Sequence, residues 1–189
     1  PKVLDRANTI EFNQVDLEGY GTGVYAEADG DFALAPSFVD RDYFAGLELA
    51  TAQHYRELED DLKAYIMDIN SILRPYHLHF GYRVANEIAL YLLNARNLVG
   101  EGCELIALDF QILQKILPKF HGSRQKLEEP LLKLLLFCMG NEIVEEPEFI
   151  EVMRAYKEAQ GEALFPRTAT KLHRMLKTLG EQGFVSFVE

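Results

Sequence analysis

Apolar residues recur every three to four positions from residue 51 onward, which is the spacing of amphipathic α-helices. Prolines, glycines and short polar stretches interrupt this spacing and divide it into segments. The pattern predicts six helices, over residues 51–73, 82–99, 104–117, 123–137 and 147–160, and from 166 to the glycines at 180 and 183. Because Leu131–Phe137 is almost wholly apolar, we expect it at the centre of a helical bundle.

Two short segments have features of strands instead. Polar and apolar side chains alternate from Asn8 to Phe12, and Phe184–Val188 is a further candidate at the end of the chain. The predicted fold class is therefore mainly α, a helical bundle with a small β element over residues 9–13 and a second candidate over 184–188. An unpaired strand exposes backbone groups, so the first strand is expected to pair with the terminal one or with another copy of the chain.

The beginning of the chain suggests that a longer protein precedes it. Residues 1–7 begin without methionine and resemble the last turn of a helix, and no partner strand for residues 9–13 is obvious downstream. We therefore expect a carboxy-terminal piece. Residues 13–42 are acidic and glycine-rich without the spacing of a phosphate-binding loop, which indicates an exposed insertion or hairpin. Two regions follow: residues 1–50, which contain this segment, and a helical domain over 51–189.

Composition and charge restrict the classes of function. The chain has 19 Lys and Arg against 30 Asp and Glu, a formal net charge of −11, and 48% hydrophobic residues. The hydrophobic content is sufficient to bury a core, which excludes a disordered chain. The excess of acidic residues argues against a surface that binds nucleic acids in general, because such a surface needs an excess of Lys and Arg. It has no apolar run long enough to cross a membrane and no signal peptide. Cys103 and Cys138 are expected to be buried, reduced thiols in a cytoplasmic protein.

No catalytic motif is recognisable, since HExxH, CxxC and P-loop sequences are all absent. His77 and His79 have the spacing of metal ligands on a strand, but no third ligand is near, so a turn or packing role is predicted. Four carboxylates have the pattern of a solvated helix face rather than of an acid–base pair: Glu57, Glu59, Asp60 and Asp61.

Positive charges stand out against this acidic background. Arg6 precedes the first predicted strand, and Arg83 falls in the first turn of a predicted helix. A cation in that turn opposes the helix dipole, so Arg83 suits either a bidentate anion contact or an ordinary salt bridge. Four more cations have no acid between them and are expected to form a solvated basic face: Lys115, Lys119, Arg124 and Lys126.

Three segments in this order resemble the carboxy-terminal part of McrB-like AAA+ proteins, the motor subunits of modification-dependent restriction systems. They are FGYRVANEIALYL, ALDFQILQKILPKFHGSRQKLEEPLLKLL and FPRTATKLHRMLKTLGEQGFVSF. The resemblance covers residues 80–138 and 164–188. The opening PKVLDRANTIEF also resembles the family's segment from the helix after sensor 1 into the last strand of the AAA+ core. Residues 13–50 and 140–160 match no known segment of the family.

The resemblance implies roles for two arginines. Arg6 corresponds to an arginine finger that acts on the nucleotide of the neighbouring subunit, and Arg83 corresponds to the sensor-2 residue at the head of a lid helix. Residues 51–189 would be the AAA+ lid, and residues 1–50 would end the AAA+ core. Walker A and Walker B would lie upstream of Pro1, so the chain alone would neither bind nucleotide tightly nor hydrolyse it.

The implied parent protein is an oligomeric nucleoside triphosphatase that uses GTP or ATP with Mg²⁺. Its partners would be its own subunits in a ring and an endonuclease subunit. DNA would be contacted only through other domains, and no membrane would be involved. The alternative is a non-enzymatic helical adaptor, in which Arg83 and the basic cluster mediate protein contacts.

Overall fold

The computed structural model of the chain describes residues 8–10, 48–159 and 162–187. It is mainly helical, as predicted. Seven α-helices lie within the described residues: α1 (Ala52–Glu57), α2 (Asp60–Leu73), α3 (Tyr82–Val99), α4 (Glu104–Gln111), α5 (Arg124–Cys138), α6 (Phe149–Glu158) and α7 (Pro166–Gln182). A π-helical turn (Ile112–Ile116) and a 3₁₀ turn (Leu117–Lys119) follow α4. Two strands, β1 (His121–Ser123) and β2 (Phe184–Ser186), form an antiparallel pair.

The core of the bundle is built around α5 and α7, which pack against each other. Leu134 and Leu135 are completely buried, which confirms that the apolar segment of α5 lies at the centre. The apolar stripe of α7 is buried against it, because its leucines and methionine recur at the helical spacing. In the parts of the chain that the structure describes, no helix combines the length and apolar character needed to cross a bilayer.

The predicted helix over residues 51–73 is wrong in one respect, since it is two helices. Thr51 is the N-cap of α1, as predicted, but Leu58 and Glu59 both have extended backbone with ψ of 151°. This break lets α1 pack against α3 while α2 packs against α5. Leu58 is buried, so the gain from burying its side chain at the bend favours the break over a continuous helix.

The predicted helix over residues 104–117 also ends early as an α-helix, at Gln111. The π-helical turn continues it, and Pro118 lies in the 3₁₀ turn that follows. Proline has no N–H to donate to the carbonyl four residues earlier, which is that of Gln114. The Gln114 carbonyl instead accepts the N–H of Thr9 at 2.9 Å.

The terminal strand is confirmed as β2, and its partner among the described residues is β1 rather than the predicted first strand. Val185 pairs with Gly122 of β1, and the register is antiparallel. Thr9 and Ile10 are not in a strand, and residues 11–13 of the predicted first strand lie outside the described residues. The short connection from α7 through Gly183, whose φ is +74°, returns the chain directly onto β1.

The buried side chain of Lys171 fixes the end of the described chain. Its Nζ donates a hydrogen bond to the Phe187 carbonyl at 2.7 Å and lies 4.5 Å from the centre of the Phe187 ring. The Phe187 N–H donates to the Phe120 carbonyl at 3.1 Å, so strand pairing and this lysine together hold the segment on the bundle.

The predicted division into regions 1–50 and 51–189 stays a prediction. Most of the first region, which includes the acidic glycine-rich segment, lies outside the described residues. Asn8, Thr9 and the described residues from Ala50 onward form one compact unit, and the helices above all belong to it.

Helix α6 packs on α7 through an aromatic stack. The rings of Tyr156 and His173 are nearly parallel, with centroids 4.4 Å apart, and the Tyr156 hydroxyl donates to Thr170 Oγ1 at 3.2 Å. Nε2 of His173 is buried and has no hydrogen-bond partner among the described residues. Burial lowers the pKa of His173, and the nearby Lys157 and Lys177 lower it further.

We expect His173 to make the unit less stable in acid. Because its pKa is depressed in the folded state, the unfolded chain takes up the proton first, and stability falls as the pH drops below about 6.5. Urea unfolding of the chain and of a His173→Phe variant at about pH 8 and about pH 5 measures this contribution. The variant keeps an aromatic ring and should lose less stability on acidification; an equal loss would contradict the assignment.

Candidate functional site

Helix α3 begins at a loop that α2 holds in place. The side-chain oxygen of Asn70 accepts the N–H of Phe80 at 2.9 Å, and the Phe80 ring is buried. The Leu78 N–H donates to the Leu73 carbonyl at 3.1 Å. Gly81 is the N-cap of α3, and it has no side chain to accept hydrogen bonds from the first-turn N–H groups. The head of α3 is thus a fixed helix start without a side-chain cap.

A cavity of about 180 Å³ opens at this helix start. We call it the Arg83 cavity, and its lining residues are His79, Phe80, Gly81, Arg83, Val84 and Lys119. No carboxylate is among them, although the chain has a net charge of −11. Two cationic side chains and the positive end of a helix therefore meet at one cavity, an arrangement that favours an anion.

Arg83 lines this cavity and also takes part in an ion pair. Its side chain is 48% exposed, and its Nε lies 3.5 Å from Oε1 of Glu87, one turn along α3. Oε2 of Glu87 contacts Nζ of Lys115, whose side chain is buried. Sequence reasoning left an anion contact and an ordinary salt bridge as alternatives for Arg83, and the structure combines a salt bridge with a place at the cavity.

The predicted basic face is not a single surface, so that prediction is wrong. Lys115 is buried against Glu87, Lys119 lines the Arg83 cavity, and Arg124 pairs with Glu128 on α5. Lys126 is exposed. The four cations belong to the π-helical turn, the 3₁₀ turn and α5, and because these elements change direction, neighbours in the sequence diverge in space.

A larger groove of about 640 Å³ adjoins the Arg83 cavity, bounded by α1, α2 and α3. It shares His79, Phe80 and Gly81 with that cavity, and Arg56 and Arg74 add two more cations to its lining. None of its lining residues is acidic. The positive region at the start of α3 therefore extends beyond the small cavity.

Arg6, the other predicted site residue, lies outside the described residues. Thr9 follows it by three positions and is hydrogen-bonded to Gln114 of the π-helical turn. The next residue of that turn, Lys115, contacts Glu87. One turn of helix thus carries contacts both to the segment after Arg6 and to the ion pair of Arg83.

The two histidines have different surroundings. His77 has a left-handed φ of +57° and closes the turn after α2, with its N–H donating to the Arg74 carbonyl. His79 lines the Arg83 cavity. Among the described residues, no three or more His, Cys, Asp and Glu side chains form a group that could hold a metal ion.

The carboxylates and the cysteines follow the sequence interpretation in most respects. All four carboxylates of the first predicted helix are exposed, as predicted: Glu57, Glu59, Asp60 and Asp61.

Neither cysteine forms a disulfide. Cys138 is buried, and burial, with a smaller effect of the Asp109 charge, raises the pKa of its thiol well above the ordinary value. Cys103 is only half-buried, which corrects the prediction that both thiols are buried.

Sequence reasoning missed Glu87, and it placed Lys115 on a solvated face rather than in a buried ion pair. The spacing of Arg83 and Glu87, four residues apart on a helix, was a local signal that could have identified their pair. No local signal joins Lys115 to Glu87, because they lie on different elements.

A family model described as a domain of unknown function, DUF8727, matches residues 35–184. The chain belongs to this family. The DUF8727 match includes all seven helices and the Arg83–Glu87–Lys115 group, whereas Arg6 precedes it. No curated protein and no solved structure matches the chain.

Proposed function

We propose that this chain is the carboxy-terminal part of a McrB-like AAA+ motor, which hydrolyses GTP or ATP with Mg²⁺ and drives a modification-dependent restriction complex. The complete protein assembles as a ring in the cytoplasm and acts with an endonuclease subunit, and DNA is contacted through other domains. The described helices are its lid. Walker A and Walker B belong to the part upstream, so the chain alone is not catalytic.

The observation that carries this proposal is the position of Arg83. It stands in the first turn of α3 and lines a cavity with Lys119 and no carboxylate. A guanidinium there can make paired hydrogen bonds to phosphate oxygens, and the helix start favours the same charge. In the proposal Arg83 contacts the nucleotide of its own subunit, and Arg6 acts on the nucleotide of the next subunit.

We expect Arg83→Ala in the complete protein to weaken nucleotide binding about 10- to 150-fold, because a hydrogen bond to a charged group is lost. Arg83→Lys keeps the charge without the paired donors, so its affinity should be intermediate. Arg174→Ala is the matched control, since Arg174 is exposed on α7 and does not line the cavity. Titration with fluorescent GTP and ATP analogues measures the affinities.

A helical adaptor remains the second candidate, and exposed apolar side chains favour it. Leu98 and Val99 at the end of α3 are 72% and 57% exposed, and Leu105 and Ile106 at the start of α4 are partly exposed. Such a surface suits a protein partner. If Arg83→Ala leaves both nucleotide affinity and hydrolysis unchanged while Leu98→Glu abolishes assembly with the endonuclease subunit, the adaptor function is supported instead.

A further inference from the structure

The carboxylate of Glu87 lies between two cations, with one on each oxygen. Oε1 is 3.5 Å from Nε of Arg83, and Oε2 contacts Nζ of Lys115. The side chain of Lys115 is only 4% exposed, whereas those of Glu87 and Arg83 are 28% and 48% exposed. The three side chains therefore form a continuous series of contacts from the π-helical turn to the Arg83 cavity.

We propose that Glu87 and Lys115 are positioning residues that hold the guanidinium of Arg83 at the Arg83 cavity. Glu87 acts on Arg83 directly, and Lys115 acts through Glu87 by occupying its second oxygen. This inference rests on the proposed function, because it assigns both residues a part in the same anion contact.

The contribution of these ion pairs to the stability of the fold does not by itself explain why the three residues are arranged in this way. The attraction within a buried ion pair is largely offset by the cost of removing both charges from water. An arginine that precedes a glutamate by four residues has the weaker orientation for a helical pair, and a cation in the first turn opposes the helix dipole. The arrangement does, however, place a guanidinium at a helix start and restrain it there, which is what an anion site needs.

The element that carries Lys115 is suited to such a role. π-helical turns are rare and occur frequently at functional sites. This one is anchored on two sides, by the contact of Lys115 with α3 and by the hydrogen bond from Thr9 to the Gln114 carbonyl. An anchored turn limits the motion of Lys115, and through it the motion of Glu87.

The experiment separates positioning from stability by removing the two charges together. Glu87→Gln and Lys115→Met each leave one charge of the pair without its partner, so each single variant should unfold at lower urea concentration. The double variant Glu87→Gln/Lys115→Met removes both charges of the buried contact and leaves only Arg83, whose side chain is 48% exposed, without this partner. Its urea midpoint should therefore recover toward that of the unaltered chain.

Two readouts then report on Arg83 itself. In the chain alone, the NMR order parameter of the Arg83 Nε–Hε bond should fall in the double variant, because Oε1 no longer carries a charge. In the complete protein, kcat/KM for nucleotide hydrolysis should fall about 5- to 30-fold, with a smaller loss than in Arg83→Ala. Should the double variant fail to fold, Glu87→Asp replaces it, since aspartate keeps the charge but has a shorter reach toward Arg83.

The matched control is Glu129→Gln/Lys133→Met, which removes a pair on α5 that also joins a glutamate to a mostly buried lysine. It should leave the Arg83 order parameter and hydrolysis unchanged. If the Glu87/Lys115 variant leaves both readouts unchanged while Arg83→Ala impairs hydrolysis, the inference is overturned and the proposed function stands. If Arg83→Ala has no effect, the proposed function fails and the inference fails with it.

Discussion

Rings mixed from Arg6→Ala subunits and subunits without the Walker A lysine are expected to regain nucleotide hydrolysis that neither variant shows alone. At some interfaces of such a ring, the intact nucleotide pocket of an Arg6→Ala subunit meets the intact finger of its neighbour. The Arg6→Ala ring by itself should bind nucleotide nearly normally but lose about 10³- to 10⁵-fold in turnover, because a finger acts on the transition state.

Arg83→Ala provides the contrast in the same experiment. If Arg83 acts within its own subunit, mixing Arg83→Ala with the Walker A variant should restore nothing, since both changes damage the pocket of the subunit that carries them. The measurement is the hydrolysis rate against mixing ratio, with ring assembly followed by analytical ultracentrifugation. Normal rings without recovery in either mixture would exclude the action of Arg6 on its neighbour.

Asp109→Ala is expected to lower the free energy of unfolding by about 3–5 kcal/mol, through the loss of a buried helix cap. The carboxylate of Asp109 on α4 is buried and accepts the N–H groups of Arg167 and Thr168 at 2.9 Å each. These N–H groups belong to the first turn of α7, where a negative charge is also favoured by the helix dipole. Alanine would leave both donors without this acceptor, and Thr168 is completely buried.

Asp109→Asn is the matched variant, because it keeps the shape and one acceptor oxygen but loses the charge. Its destabilisation should lie between zero and that of Asp109→Ala. Urea unfolding followed by far-ultraviolet circular dichroism measures both, and a loss below about 0.5 kcal/mol in Asp109→Ala would contradict the assigned role. A second contact joins the same two residues, since Thr168 Oγ1 donates a hydrogen bond to the backbone carbonyl of Asp109 at 3.1 Å. Thr168→Val removes this hydrogen bond and should lower the free energy of unfolding by less than Asp109→Ala does.

Sequence reasoning succeeded where the signals are local. Tyr82–Val99 was predicted and observed with the same ends, because the glycines on either side act within one turn of the helix. Pro166 at the start of α7 has the same local character. The sequence-based prediction failed at Leu58 and in the π-helical turn, because the packing of distant elements determines the backbone conformation there.

Contacts between distant parts of the chain had no such signal. Asp109 and Arg167 are 58 positions apart, and no periodicity joins them. The same holds for Lys115 and Glu87 on separate elements. A helix stripe identifies which side chains are buried, but it does not say which buried side chain meets which other one.

The sequence by itself determined the mainly helical class, the apolar centre of α5, the terminal strand and the place of Arg83 at the head of a helix. These features follow from spacing, capping residues and prolines, which act over a few residues. Only the tertiary structure decided that β2 pairs with His121–Ser123, that Lys115 is buried against Glu87, and that Lys119 joins Arg83 at a cavity without carboxylates. Those outcomes depend on how whole helices pack, because burial and charge pairing are settled between elements far apart in the chain.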